Sequence, residues 1–332
     1  MQSFTVKDVN EALPLAMMIL NGRNTTRKPS RAGEVIEVNE AVSMTYRYPM
    51  QRVLFNEARD ANPFFHFMEG LWMLAGRDDV EWICEYNKNL KQFSDDGAKF
   101  HGAYGFRIRK YWDTVFADMD QLNHVIAILK RDPNERRAVV QIWRAEYDLS
   151  SQSKDIPCND IIFFKIRNNK LHMTVCCRSN DAIWGAYGAN AVHFSMIMEY
   201  VASMIGVDVG TYTQVSDSLH VYTDNPQWGK LREMYYNYSG IDAYQVRDIK
   251  PYPMVKKLEM WDVELTQFMG EWDVRDEDWQ NPFYPEVAMP MRKAWRTYKN
   301  GDKQLAHMEC NNILADDWRI ACSEWIRRRI IK

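Results

Sequence analysis

The chain has 332 residues, is 46% hydrophobic and 26% charged, and carries a formal net charge of -3. That length suits one large domain or two ordinary ones, and that balance excludes a disordered chain. The charge gives no basic field for duplex nucleic acid, and no apolar run approaches the ~20 residues that span a membrane.

Six cysteines, none in a C-x-x-C pair, argue against a zinc site and for reduced thiols in a cytoplasmic compartment, the host's for a viral protein. No charged leader precedes an apolar run, so no signal peptide is expected. Residues 1–21 mix an apolar stripe with polar positions and predict a helix. Residues 22–33 set Arg23, Arg27 and Arg31 among Asn, Thr, Pro and Ser and read as a basic loop. Val35, Ile36, Val38 and Val42 predict strands across 34–46. Residues 62–76 predict a buried helix, with Pro63 near its start, Gly76 near its end, and Phe67, Leu71 and Leu74 on one face.

An amphipathic helix is expected over 115–130, ending before Asp132-Pro133. Residues 137–143, 160–167 and 171–177 are short β-rich runs, and Asn168-Asn169 predicts a hairpin turn between the last two. Helical spacing returns over 190–205, and 211–222 read as extended. Residues 255–332 are expected to be mostly helical, with a break near Pro282, Pro285 and Pro290. Arg327-Arg328-Arg329 reads as a solvated helix end suited to the C-terminal dipole. Strands and helices without strict alternation predict an α+β fold.

Several residues have the chemistry of a site. Cys158 follows Pro157 and precedes a strand, a rigid mount for a nucleophile, although a free cysteine is more often buried and inert. A thiol needs a nearby cation to become reactive, and a hairpin could bring Arg178 and Ser179 to it. Arg136-Arg137 at a turn suits bidentate phosphate binding, or a surface ion pair. Glu69 interrupts an apolar helix, where a carboxylate needs partners, a raised pKa or a path to solvent. His220 and Tyr222, at strand spacing, point to one face and can hold a sugar hydroxyl or form a half-buried polar pair.

In this order, Glu69 with Trp72, Tyr104-Gly105, Arg136-Arg137, Pro157-Cys158, Arg178-Ser179-Asn180-Asp181, Gly185 with Asn190, and Ser218 to Tyr222 resemble the thymidylate synthase superfamily, nearest its pyrimidine nucleotide hydroxymethylases. The resemblance covers roughly residues 20–225. It implies a mixed sheet with surrounding helices, a catalytic core over 1–229, and a helical C-terminal extension over 230–332 packed on it. It implies Cys158 as the nucleophile at C6 of the pyrimidine, Glu69 as the acid/base carboxylate, and Tyr104 in the catalytic set. Arg31, Arg178, Ser179 and Asn180 fall at nucleotide positions, with Arg178 also near the thiolate. Arg136 and Arg137 match a pair that crosses a dimer interface. His220 and Tyr222 match the ribose pair, and Asp181, Trp72, Leu90 and Phe93 the folate side. The implied partners are a pyrimidine nucleoside monophosphate (dCMP or dUMP), reduced folate and a second subunit in a homodimer with shared active sites. The co-substrate is 5,10-methylenetetrahydrofolate, with no metal, membrane or nucleic acid.

Departures from the synthase pattern favour hydroxymethyl over methyl transfer. Asn159 stands where the synthase has His after its cysteine. Leu90 falls where a tryptophan packs on the folate, and Phe93 takes the place of a second one. No synthase-like closing segment is recognisable in Trp325–Ile331. A site less able to exclude water favours hydration. Asn190 resembles the residue that reads uracil, but the run Gly185 to Asn190 is one residue longer than the usual spacing, and without a gap Ala189 occupies that place. No aspartate is there, as a cytosine-specific enzyme is expected to have. The other readings are a true thymidylate synthase and a silent synthase-like binding protein. Intact Cys158, Glu69, Arg178 and His220 argue against the second.

Overall fold

The computed structural model describes residues 1–110, 119–234, 242–270 and 279–331. Ten strands are present among them: β1 (Gln2–Val6), β2 (Thr25–Ser30), β3 (Gly33–Val38), β4 (Val42–Tyr46), β5 (Val139–Gln141), β6 (Asn159–Arg167), β7 (Lys170–Cys177), β8 (Asn180–Asp181), β9 (Asp208–Ser216) and β10 (Leu219–Tyr222). They form two sheets, ordered β1-β4-β9-β7-β6-β5 and β2-β3-β10-β8. The first is mixed, with β1–β4 and β7–β9 parallel and its other pairs antiparallel. With helices around it, this is the α+β architecture.

The β6–β7 hairpin turns at Asn168 and Asn169, whose φ values of 52° and 57° are the left-handed conformation that asparagine tolerates. It delivers Cys158 and Arg178 to the same end of the sheet, where Arg178 N–H donates to Cys158 O at 2.9 Å. Along β7 and β9 alternate residues are buried, as one covered sheet face requires. The cover is the helix Asn190–Ile205, buried continuously from Asn190 to Ala202 and closed by Gly206 at φ 90°.

The helix Pro63–Leu74 packs beside it. Asn62 caps it by accepting the Phe65 N–H, Pro63 takes the first turn, and every residue except Glu69 is buried. A Cβ on Gly105 would collide with the Met73 backbone, so only glycine lets the helix Tyr104–Arg109 approach this closely. The C-terminal helices Met289–Lys299 and Asp316–Ile330 cover the far side of Pro63–Leu74 with tryptophans. Trp295 and Trp325 lie 5.4 and 5.9 Å from Phe64, and Trp318 lies 5.1 Å from Phe67, centroid to centroid.

Four local expectations change. Residues 1–21 begin with β1, because pairing with β4 outweighs local helical spacing; the helix is Val9–Leu20. The basic loop contains an edge strand, β2, with Pro29 tolerated on its unpaired side. The extended run 211–222 is two strands in different sheets, parted at Asp217-Ser218. The basic end is not simply solvated, since Arg328 and Arg329 both grip Asp60, at 3.0 and 2.9 Å. The helix expected over 115–130 is seen from Gln121 to Arg131; residues 115–118 lie outside the described residues, as do 271–278 and 332 of the C-terminal region. No helix among the described residues is long and apolar enough to cross a membrane.

Candidate active site

Two cavities take wall residues from the segment that leads into β6, Asp155 in one and Ile156 and Cys158 in the other. The larger, about 580 Å³, is walled by Cys158, Arg178 and Ser179 from the hairpin end, His220 and Tyr222 from β10, and Arg31 from the β2–β3 turn. The smaller, about 200 Å³, is walled by Glu69, Tyr104, Asn190 and His193 on its polar side and Trp72, Leu90, Phe93 and Phe100 on its apolar side. Tyr104 links them: it lines the smaller cavity, and its hydroxyl accepts the Cys158 N–H at 3.3 Å.

Arg178 holds the cysteine's approach. Its Nε donates to Pro157 O at 2.9 Å, its Nη2 to Ile156 O at 3.2 Å, and its guanidinium lies 5.3 Å from the Trp143 ring centre. Burial pushes the Cys158 thiol up, and Arg178 is the main opposing influence, with Arg31 a weaker one. The cation sought in the sequence is present, but it moderates the thiol rather than bringing it below its ordinary value. Burial also pushes the Tyr104 phenol well above its usual range, so it keeps its proton at neutral pH.

Glu69 faces His193, Nε2 to Oε2 at 3.1 Å, and neither atom has another partner among the described residues. Tyr104 and Gly102 are held by a buried brace. Arg107 pairs with Asp148 at 2.6 and 2.9 Å and donates to His101 O at 3.1 and 2.9 Å.

The register around Asn190 is set by an unusual helix. Residues Ala182–Ala189 are π-helical, and the α-helix begins at Asn190. A π turn contains one more residue than an α turn, so it absorbs the extra residue of this run and leaves Asn190 on the cavity wall, beside Ala189. Asn190 Nδ2 donates to Asn180 Oδ1 at 3.2 Å, and Asn180 Nδ2 donates to Ser216 Oγ at 2.9 Å.

Not all of the anticipated residues converge. Asn180 is 1% exposed and sits behind the wall, its amide occupied by Asn190 and Ser216. Asp181 lies outside both cavity walls and caps the π-helix through Ile183 N–H and Trp184 N–H, and burial raises its carboxyl. Arg136 and Arg137 lie on the exposed turn before β5, away from their own chain's cavities, with Arg137 paired to Glu135 at 2.5 Å. His193, Trp143 and Asp155 were not anticipated. His193 follows Asn190 by one helical turn, a spacing that could have revealed it. Trp143 and Asp155 carry no local signal.

Residues 15–271 match the thymidylate synthase family, and the chain belongs to it. A deoxyuridylate hydroxymethyltransferase of Pseudomonas phage M6 is 41% identical over 99% of this chain and 95% of its own length. Another of that name, from Bacillus phage SP01, is 44% identical over 58% of this chain and 52% of its own.

Proposed function

We propose that this chain transfers a hydroxymethyl group to C5 of deoxyuridylate, with 5,10-methylenetetrahydrofolate as the one-carbon donor. The observation that carries the proposal is the junction at Tyr104: a cavity with a cysteine and an arginine adjoins one with a carboxylate and an aromatic wall. Near full-length similarity to a deoxyuridylate hydroxymethyltransferase supports the reading.

Arg31, Arg178 and Ser179 suit a phosphate, and His220 and Tyr222 the ribose beside it. Trp72, Leu90, Phe93 and Phe100 offer an apolar wall that suits the ring system of a reduced folate. The folate supplies a carbon at the oxidation level of formaldehyde. Asn180 orients Asn190, because the Asn180 oxygen accepts from Asn190 Nδ2. One N–H and the carbonyl oxygen of Asn190 remain, a complement to O4 and N3–H of uracil.

C5 of uracil is a weak nucleophile. Addition of the Cys158 thiolate to C6 pushes electron density to C5, and the bound phosphate keeps C6 over the sulfur. Tyr104, bonded to the Cys158 backbone, holds the cysteine's geometry through the addition. C5 then bonds to the one-carbon unit of the folate, Glu69 with His193 carries the C5 proton away, and the bond from that carbon to the folate nitrogen breaks with the proton returned to the nitrogen, releasing tetrahydrofolate. This leaves an exocyclic methylene on a nucleotide still bonded to Cys158, and water at that carbon gives a hydroxymethyl group. Leu90, in place of an indole, leaves that carbon less shielded.

The active form is a homodimer with shared sites. The six-stranded sheet keeps its other face half-buried, with Thr45, Ile161, His172, Thr174, Thr211, Thr213 and Val215 on it and Phe163 42% exposed. A second copy packed there buries that face, and the outward Arg136 and Arg137 suit a phosphate in the neighbouring subunit.

The test is product analysis with deoxyuridylate or deoxycytidylate and methylenetetrahydrofolate. Hydroxymethyl-deoxyuridylate with tetrahydrofolate is the expected result. Methylated nucleotide, with dihydrofolate formed in step with it, makes the enzyme a thymidylate synthase.

A further inference from the structure

The cavity that contains Glu69 has a second carboxylate. Asp155 precedes Cys158 by three residues and shares a wall with Tyr104, Asn190 and His193. Its Oδ2 accepts the Gly102 N–H at 2.7 Å, and its Oδ1 has no hydrogen-bond partner among the described residues. The segment is tied down from both sides. Arg31 donates to Ser153 O and Lys154 O at 3.4 and 3.3 Å, and Asp95 accepts the Lys154 N–H at 3.1 Å.

Burial raises the Asp155 carboxyl above the ordinary carboxylate range, while the Gly102 bond and Arg107 oppose the rise. Its charge also lifts the Cys158 thiol, three residues further along the chain. A carboxylate on the wall of a cavity lined mainly by apolar and aromatic side chains retains water unless another donor replaces it. Glu69 lies against His193 at 3.1 Å, and the second oxygen of Asp155, free of any donor among the described residues, is available to a water.

We propose that Asp155 is the catalytic base that takes the proton of the water attacking the exocyclic methylene. The proposal rests on the hydroxymethyl-transfer reading above. As the water oxygen bonds to the methylene carbon, one O–H bond breaks and its proton passes to Asp155. The methylene π pair moves into the ring as an enolate on O4. That pair then forms the C5–C6 double bond while the C6–S bond breaks, releasing the Cys158 thiolate. Asp155 passes its proton to solvent. No hydride moves, and nothing is oxidised or reduced. Two carboxylates with separate environments thus serve two proton transfers, Glu69 at C5 and Asp155 at the water.

Asp155→Asn keeps an acceptor for the Gly102 N–H and removes the base. Two readouts separate the roles. Exchange of the C5 hydrogen of deoxyuridylate with deuterated water, without folate, needs Cys158 but no attacking water. Hydroxymethyl formation needs both. The expected result is exchange close to wild type with hydroxymethyl formation lowered by about 10²-fold or more. Added mercaptoethanol should then capture the stalled methylene as a thioether on the nucleotide, seen by mass spectrometry. Wild-type hydroxymethyl formation in Asp155→Asn overturns the proposal and leaves the proposed function standing. An equal fall in exchange and product also overturns it, because Asp155 would then only anchor Gly102. If the Asn variant does not fold, Asp155→Ser is judged by the same two readouts. A wild-type enzyme that makes only methylated nucleotide removes the function and this proposal together.

Discussion

Replacing Arg178 with Gln tests whether the thiol depends on its guanidinium. The side chain makes two hydrogen bonds to the carbonyls leading into Cys158, at 2.9 and 3.2 Å, and stacks 5.3 Å from the Trp143 ring. Bonds from a charged donor contribute about 1.5–3 kcal/mol each when desolvated, but Arg178 is half-buried, so water replaces part of each. With about 0.5–1 kcal/mol for the stack, a loss of about 2–3 kcal/mol is expected at the transition state. That corresponds to a fall of about 30- to 160-fold in kcat/KM. The thiol should also titrate at higher pH, since Arg178 is the strongest influence holding it down against burial. The assay is the rate of alkylation by iodoacetamide as a function of pH, followed by peptide mapping. Mapping is needed because Cys84 and Cys176 are also partly accessible. An unchanged Cys158 alkylation profile together with wild-type kcat/KM refutes the reasoning.

Cys158→Ser and Arg137→Ala should each be inactive, because one lacks the nucleophile and the other the partner subunit's phosphate ligand. Mixed and allowed to exchange, they should recover about a quarter of wild-type activity, since about half of the dimers become hybrids with one intact site each. A fully active monomer at micromolar concentration refutes the shared site. Glu69→Ala should suppress hydroxymethyl and methyl products alike, since it acts before either branch; unchanged product yield removes it from the proton path. Burial pushes the Asp317 carboxyl up to about 6, above its ordinary 3.8. The native state therefore holds this proton more tightly than the unfolded chain. Its contribution is full below about pH 4 and is lost as pH rises through about 6, up to about 3 kcal/mol. Asp317→Asn should remove that slope, measured as urea midpoints at pH 5 and pH 8; equal slopes in both proteins refute the assignment.

Much of this protein is legible in the chain itself where the signal is local. Pro63 and the apolar run behind it specify a buried helix, and within it Glu69 stands out as the residue that must find a polar partner. Asn168-Asn169 between two β-rich runs specifies the hairpin that carries Cys158 to Arg178. The order of these motifs suffices for the family. What the chain could not reveal depends on residues far apart in sequence. Gln2–Val6 is a strand because Val42–Tyr46 lies beside it, and local helical spacing is too weak a preference to resist that pairing. Residues 208–222 divide between two sheets because β9 pairs with β4 and β7 while β10 pairs with β3 and β8. Whether Asn190 reaches the cavity wall depends on a π-helical stretch that counting residues cannot detect. The same holds for Asp155, whose place on the cavity wall follows from its bond to Gly102. A helix or hairpin is stabilised by near neighbours and shows in the sequence, whereas a cavity wall exists only after distant segments have packed.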